Sequence, residues 1–154
     1  MSSNVQSSRA WVLLVVAGAF LAAADPPFAL AFERTPVEAR HVAVDGGGRY
    51  IDVSPAGLAT MLQGKTFPLI NVHIPYEGEI SGTDVFVPFD EIGAHVDKLP
   101  SDRHARVVLY CRSGHMSAIA AQALVKLGYS DVWNLDGGMI AWQKAGHPLV
   151  QKAR

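Results

Sequence analysis

The only cysteine in this sequence, Cys111, opens the run Cys111-Arg112-Ser113-Gly114-His115-Met116-Ser117. A cysteine acts as a nucleophile through its thiolate, and a thiolate needs positive potential around it. The run contains the parts for that. Ser113 and Gly114 are small enough to let the chain curl with its N–H groups inward, and the helix-forming stretch 118–127 behind them directs the positive end of a helix dipole at the sulfur. Arg112 and His115 add a guanidinium and an imidazole suited to an oxyanion, and Met116 and Ser117 complete the loop. The chemistry this implies is covalent: a sulfur nucleophile that takes up a group and passes it on. Cys111 is therefore the candidate catalytic residue, with Arg112, Ser113, Gly114, His115, Met116 and Ser117 as candidate substrate-binding residues.

Two other readings of the same cysteine compete with this one. A single thiol is commonly a small apolar core residue. A thiolate in an amide-lined loop also serves phosphatases and arsenate reductases, which need Cys-(x)5-Arg. Here the sixth residue after Cys111 is Ser117, so a phosphoryl transition state would lack its bidentate clamp. The six histidines, His41, His73, His95, His104, His115 and His147, are scattered, with no cysteine pair and no H-E-x-x-H spacing. No metal site and no cofactor is expected on that pattern. A net charge of −1 with no run of like charges gives no footprint for nucleic acid.

The elements that must position Cys111 alternate in type. Tyr50 to Val53 reads as a short strand. Ser54 then offers an N-cap and Pro55 a first helical residue, with Leu58, Met61 and Leu62 on one face before Gly64. Phe67 to Val72 is an apolar run of strand length, and Val85 to Val87 a brief third strand. Phe89, Ile92, Val96 and Leu99 are spaced for one face of a helix that Pro100 ends. Val107 to Tyr110 is a compact strand leading directly into Cys111, followed by a helix over 118–127 and a stop at Gly128. Asp131 to Leu135 is another strand, and Asp136-Gly137-Gly138 turns the chain into a last helix, 139–145, stopped by Gly146. Met139 and Trp142 are expected to pack that helix, and Asp136 to form the turn. The alternation predicts an α/β fold with a central parallel sheet and helices on both faces. Cys111 would then lie at the carboxyl end of a strand, where such sheets bind ligands.

With 154 residues and 49% hydrophobic content, the chain holds one such domain. Arg9 precedes an apolar run from Trp11 to Ala24, followed by Pro26-Pro27 and Ala29-Leu30-Ala31. We read residues 1–31 as a signal peptide, with cleavage favoured at Ala31-Phe32 and Ala24-Asp25 the second choice. The run is shorter than the ~20 residues that span a bilayer, so the membrane enters only as an anchor if the segment stays uncleaved. Export to the periplasm or another extracytoplasmic space is the expectation. Residues 32–48, ending in three glycines, read as a linker, 49–150 as the domain and 151–154 as a tail.

Two stretches taken together resemble the rhodanese-like domain. Cys111-Arg112-Ser113-Gly114 is similar to the start of that family's active-site loop, and Leu135-Asp136-Gly137-Gly138-Met139-x-Ala141-Trp142-x-x-Ala145-Gly146 is similar to its C-terminal signature. The resemblance implies a sulfurtransferase. Its Cys111 thiolate would attack a sulfane sulfur, of thiosulfate or of a persulfide donor, and hold it as a persulfide for a thiol or protein acceptor. It also implies a small sulfur-containing anion as partner. The sequence departs from the family pattern in three places. Met116 stands where a cation is usual, Asn71-Val72-His73 replaces Asp-Val-Arg, and Gly78-Glu79-Ile80 replaces Gly-His-Ile. A catalytically weak sulfur carrier or binding module is the alternative. His73, Glu79 and Asp136 are second-rank site candidates, with Tyr76 and Glu77 beside them. For His73 and Glu79 the ordinary expectation is a solvated side chain.

Overall fold

The computed structural model describes residues 37–152. The proposed signal peptide, 1–31, lies outside them, as do residues 153 and 154 of the tail. Eight strands and three α-helices follow in the order β1 (Ala39–Ala43), β2 (Arg49–Val53), α1 (Pro55–Gln63), β3 (Leu69–Asn71), β4 (Glu79–Ile80), β5 (Val85–Phe86), β6 (Val107–Tyr110), α2 (His115–Lys126), β7 (Val132–Leu135), α3 (Gly138–Lys144) and β8 (Leu149–Val150). Six strands form one sheet in the order β1-β2-β7-β6-β3-β5. Its pairings are parallel except at one edge, where β1 runs antiparallel to β2.

Local signals in the sequence account for most of these elements. Ser54 caps α1 by accepting a hydrogen bond from the Gly57 amide at 3.1 Å, ahead of Pro55 in the first turn. The central strand β6 is buried at all four positions because it is covered on both faces. Successive side chains of β6 therefore enter different cores. Val107 and Leu109 pack with Ala120, Ala121 and Leu124 of α2. Val108 and Tyr110 pack with Leu58 of α1 and Met139 and Trp142 of α3. Helices on both faces thus fix the sheet, and α3 is seated by the two residues expected to seat it.

Three expectations are corrected. The linker read over 32–48 contains β1, an edge strand in which Ala39 pairs with Val53 and Ala43 with Arg49. Glycines 46–48 form the turn of a hairpin, each with positive φ, and not a flexible spacer. The sheet is accordingly mixed. The predicted helix over 89–99 is a series of tight turns ending in a 3₁₀ segment, Val96–Lys98. Its backbone bonds run between residues three apart, from Glu91 N to Pro88 O, Ala94 N to Glu91 O and Lys98 N to His95 O. The apolar spacing still serves packing, since Ile92 and Leu99 are buried and Phe89 and Val96 lie against the same core. Spacing of three or four residues suits a 3₁₀ chain as well as an α-helix. The structure also contains a small second sheet, in which β4 pairs antiparallel with β8 near the C-terminus. Lys152, from the stretch read as a tail, reaches back to the same region, its amide donating to the Tyr76 hydroxyl at 3.1 Å. No helix among the described residues is long and apolar enough to cross a membrane.

Candidate active site

Cys111 directly follows β6 at the carboxyl edge of the sheet, and α2 begins four residues later. Gly114, with φ of +91°, turns the chain into the helix. That left-handed conformation is open to glycine at little cost. The Gly114 amide donates to Cys111 Sγ at 3.1 Å, and the Ser117 hydroxyl lies 3.3 Å from the same sulfur. Ser117 also lies 3.2 Å from the Gly114 carbonyl oxygen, so its one proton is divided between two acceptors. Sulfur is a weak acceptor as a thiol and a strong one as an anion. Two donors are aimed at it, a geometry that could bind a sulfur anion.

The loop does not stand on its own. Gly137 and Gly138 pass directly beneath it, with φ of +69° and +57°. The Met139 amide donates to the Cys111 carbonyl at 2.9 Å and the Ile140 amide to that of Arg112 at 3.0 Å. A β-carbon at Gly138 would collide with the Cys111 carbonyl oxygen and lie 2.7 Å from the Arg112 carbonyl carbon. One at Gly114 would lie 3.1 Å from the Gly137 nitrogen. The two motifs read from the sequence therefore meet here: the glycine pair provides a side-chain-free floor on which the cysteine loop lies.

Two expectations about the sulfur change. Of the ring of inward amides, the Gly114 N–H lies within hydrogen-bond distance of Sγ, and the second donor is a hydroxyl. Cys111, placed by the sequence at a strand end where ligands bind, is only 1% exposed, clustered with Val72, Leu109 and Ala120. The sulfur is turned toward its two donors under the loop. A nucleophile must touch its substrate, so a nucleophilic role for this sulfur would require the side chain to rotate or the loop to open.

The remaining candidates separate into groups. Arg112, Ser113 and His115 are exposed, Gly114 and Met116 half-buried and Ser117 buried. Arg112 Nη1 is paired with the carboxylate of Glu77, and His73 Nε2 lies 3.6 Å from the same Glu77 oxygen. His73 is not solvated but buried, and neither ring nitrogen has a hydrogen-bond partner. Glu79 is buried on β4, where its carboxylate lies 3.3 Å from Lys152 Nζ. Asp136 forms the expected turn, its amide donating to Val53 O at 3.0 Å. Its side chain lines a different cleft, with Arg40, Asp52 and Ser54. Glu77, ranked in the sequence only beside these residues, is the one that reaches the loop. A cleft of about 330 Å³ runs along the outer side of the loop, walled by Arg112, Glu77, Met139, Ile140, Gln143 and others, and Cys111 itself does not line it. No cluster of metal-ligating side chains occurs among the described residues.

A cysteine at the end of a central parallel strand, with an amide and a hydroxyl aimed at its sulfur and a glycine floor beneath, defines an α/β protein built around a cysteine anion loop. Residues 55–145 match the family described as the rhodanese-like domain. The chain belongs to that family. Among its relatives, the "Probable adenylyltransferase/sulfurtransferase MoeZ" of Mycobacterium tuberculosis is 40% identical over 101 residues, 62% of this chain and 25% of that protein. A sulfurtransferase of Allochromatium vinosum is 44% identical over 64 residues, 42% of this chain and 58% of that one. The chain thus spans a quarter of the first relative and less than two thirds of the second. The rhodanese-related protein of Thermoplasma volcanium shares the fold, with a TM-score of 0.56 and 24% identity, over 66% of this chain and 98% of the other.

Proposed function

We propose that this protein is a sulfurtransferase that carries sulfane sulfur on Cys111. The observation that supports it best is the pair of donors at 3.1 and 3.3 Å from Sγ, an arrangement suited to a sulfur anion. In the first step the thiolate attacks the outer sulfur of a sulfane donor. The Sγ–S bond forms, the donor's own bond to that sulfur breaks, and the donor leaves with the electron pair: sulfite from thiosulfate, a thiolate from a persulfide. In the second step an acceptor thiolate attacks the outer sulfur of the Cys111 persulfide and departs as the new persulfide, returning the enzyme thiolate. Neither step changes the net charge. The main-chain and hydroxyl donors, held by α2 and the glycine floor, stabilise the resting thiolate before uptake and again once the sulfur has been passed on. Ping-pong kinetics follow from a covalent carrier.

A second reading is favoured by one observation. Cys111 is 1% exposed, as an inert structural thiol would be. Cyanolysis separates the two. A carrier loaded with thiosulfate or a cysteine persulfide releases thiocyanate on addition of cyanide, and its Cys111→Ser variant does not. No thiocyanate from the wild type would leave the structural reading standing. Export through residues 1–31 belongs to the same proposal, and N-terminal sequencing of the protein recovered from an extracytoplasmic fraction tests it. A chain beginning at Phe32 or Asp25 is expected, and recovery only with the cytoplasmic fraction would overturn it.

A further inference from the structure

We propose that Glu77 is a charge filter that turns the loop away from sulfonate-bearing dianions and toward sulfane sulfur carried on a thiol; this rests on the sulfurtransferase reading above. Arg112, next in chain to the nucleophile, is the one permanent cation of the loop Cys111–Ser117, and so the group there with the charge to hold the sulfonate of a donor such as thiosulfate. It is already engaged with Glu77. Glu77 and Arg112 are the one anion and the one cation among the residues lining the cleft beside the loop, whose remaining walls include Met139, Ile140 and Gln143. His73 Nε2 lies 3.6 Å from Glu77 as well. The loop position expected to carry a further cation is Met116, and the loop's remaining ionisable side chain is the exposed His115. Lys152, the next cation in this part of the structure, lies 3.3 Å from Glu79.

The consequence is a difference between donors. A sulfonate that takes Arg112 must displace a carboxylate that then remains beside it, so a dianion meets repulsion where its partner should be. A persulfide donor brings no sulfonate. It leaves the Arg112–Glu77 pair intact and asks the loop only for the Gly114 and Ser117 donors at the sulfur. In both cases the bond formed is Sγ–S and the bond broken is the one joining that sulfur to the donor. The donors differ in the charge that must be seated.

Glu77 and Arg112 side chains are 38% and 54% exposed, so the pair is partly screened and its effect is moderate. The test follows the second-order rate at which wild type and Glu77→Gln gain one sulfur atom by intact mass, with thiosulfate, a methanethiosulfonate monoanion and cysteine persulfide as donors. Glu77→Gln is expected to shift selectivity toward thiosulfate over persulfide by about threefold, with the monoanion between and the shift shrinking as salt rises. Adding Arg112→Gln to Glu77→Gln is expected to remove the gain for thiosulfate. Equal change with all three donors, a fall with thiosulfate, or a gain that survives loss of Arg112 would overturn the filter while leaving the carrier intact. A wild type that takes sulfur from none of the donors would overturn the carrier itself.

Discussion

Replacing Gly138 by alanine puts the dependence of the cysteine loop on its glycine floor to the test. Gly138 has φ of +57°, and a β-carbon there would collide with the Cys111 carbonyl oxygen and sit 2.7 Å from both the carbonyl carbon and oxygen of Arg112. All the obstructing atoms are backbone, so no side chain can swing aside. An alanine in the left-handed region costs about 1–2 kcal/mol by itself. Relief of the collision means lifting the loop away, which breaks the bonds from the Met139 and Ile140 amides to the Cys111 and Arg112 carbonyls, at about 0.5–1.5 kcal/mol each. The expected loss is about 2–5 kcal/mol in urea unfolding followed by tryptophan fluorescence, with sulfur uptake at Cys111 reduced in the same protein. Gly146 provides the comparison. Its φ is +88° and a β-carbon there meets nothing within 4 Å, so Gly146→Ala carries the conformational cost of about 1–2 kcal/mol and leaves sulfur uptake intact. Equal losses for the two variants, with uptake unaffected in both, would refute the floor.

Three other outcomes follow from the same structure. Ser117→Ala removes the hydroxyl 3.3 Å from Cys111 Sγ and is expected to slow sulfur loading about tenfold or more, as for loss of a bond to a charged acceptor; loading within twofold of wild type would show that the hydroxyl serves the Gly114 carbonyl instead. Burial pushes the Tyr110 hydroxyl well above its ordinary pKa, although its bonds with Thr83 and Ile80 oppose the shift. The unfolded chain therefore ionises this group first, so its contribution is complete below about pH 10 and is lost as pH rises beyond it. Tyr110→Phe is expected to cost about 1–2 kcal/mol at neutral pH and to make the alkaline fall in stability shallower, the remainder including Tyr50, which burial and Asp52 also raise; an unchanged alkaline slope in urea titrations would contradict this. Lys152→Met leaves the buried Glu79 without an ammonium 3.3 Å away and is expected to cost about 1 kcal/mol, a loss that shrinks when Glu79→Gln is added; additive losses in the double-mutant cycle would show the two to be uncoupled.

What the sequence revealed was whatever local pattern could record. The Val107–Tyr110 strand and the Ser54 cap are signalled by neighbouring residues and form where expected, whereas the loop after the strand is shorter than read, because α2 begins at His115 and takes in Met116 and Ser117. The loop's floor was legible as a motif, Asp136-Gly137-Gly138, but its purpose was not, because the clash at Gly138 is with atoms of Cys111 and Arg112, far away in the chain. The turns at 89–99 were misread because four apolar residues on one side satisfy either helical period. Strand β1 was missed because an edge strand of exposed residues has little apolar alternation, its burial being confined to Val42 in part and to Val44 beyond its end. Glu77 could not be ranked above Tyr76 or Glu79 from spacing, since its importance lies in Arg112, whose position depends on the packing of β3 against β6. The sealing of Cys111 is likewise a product of tertiary packing.

Intact mass of the purified protein, before and after exposure to a sulfane donor, addresses the carrier most directly. The account predicts a gain of one sulfur atom, located at Cys111, removed by cyanide and absent from Cys111→Ser. A wild-type mass unchanged by thiosulfate and by cysteine persulfide alike would contradict it.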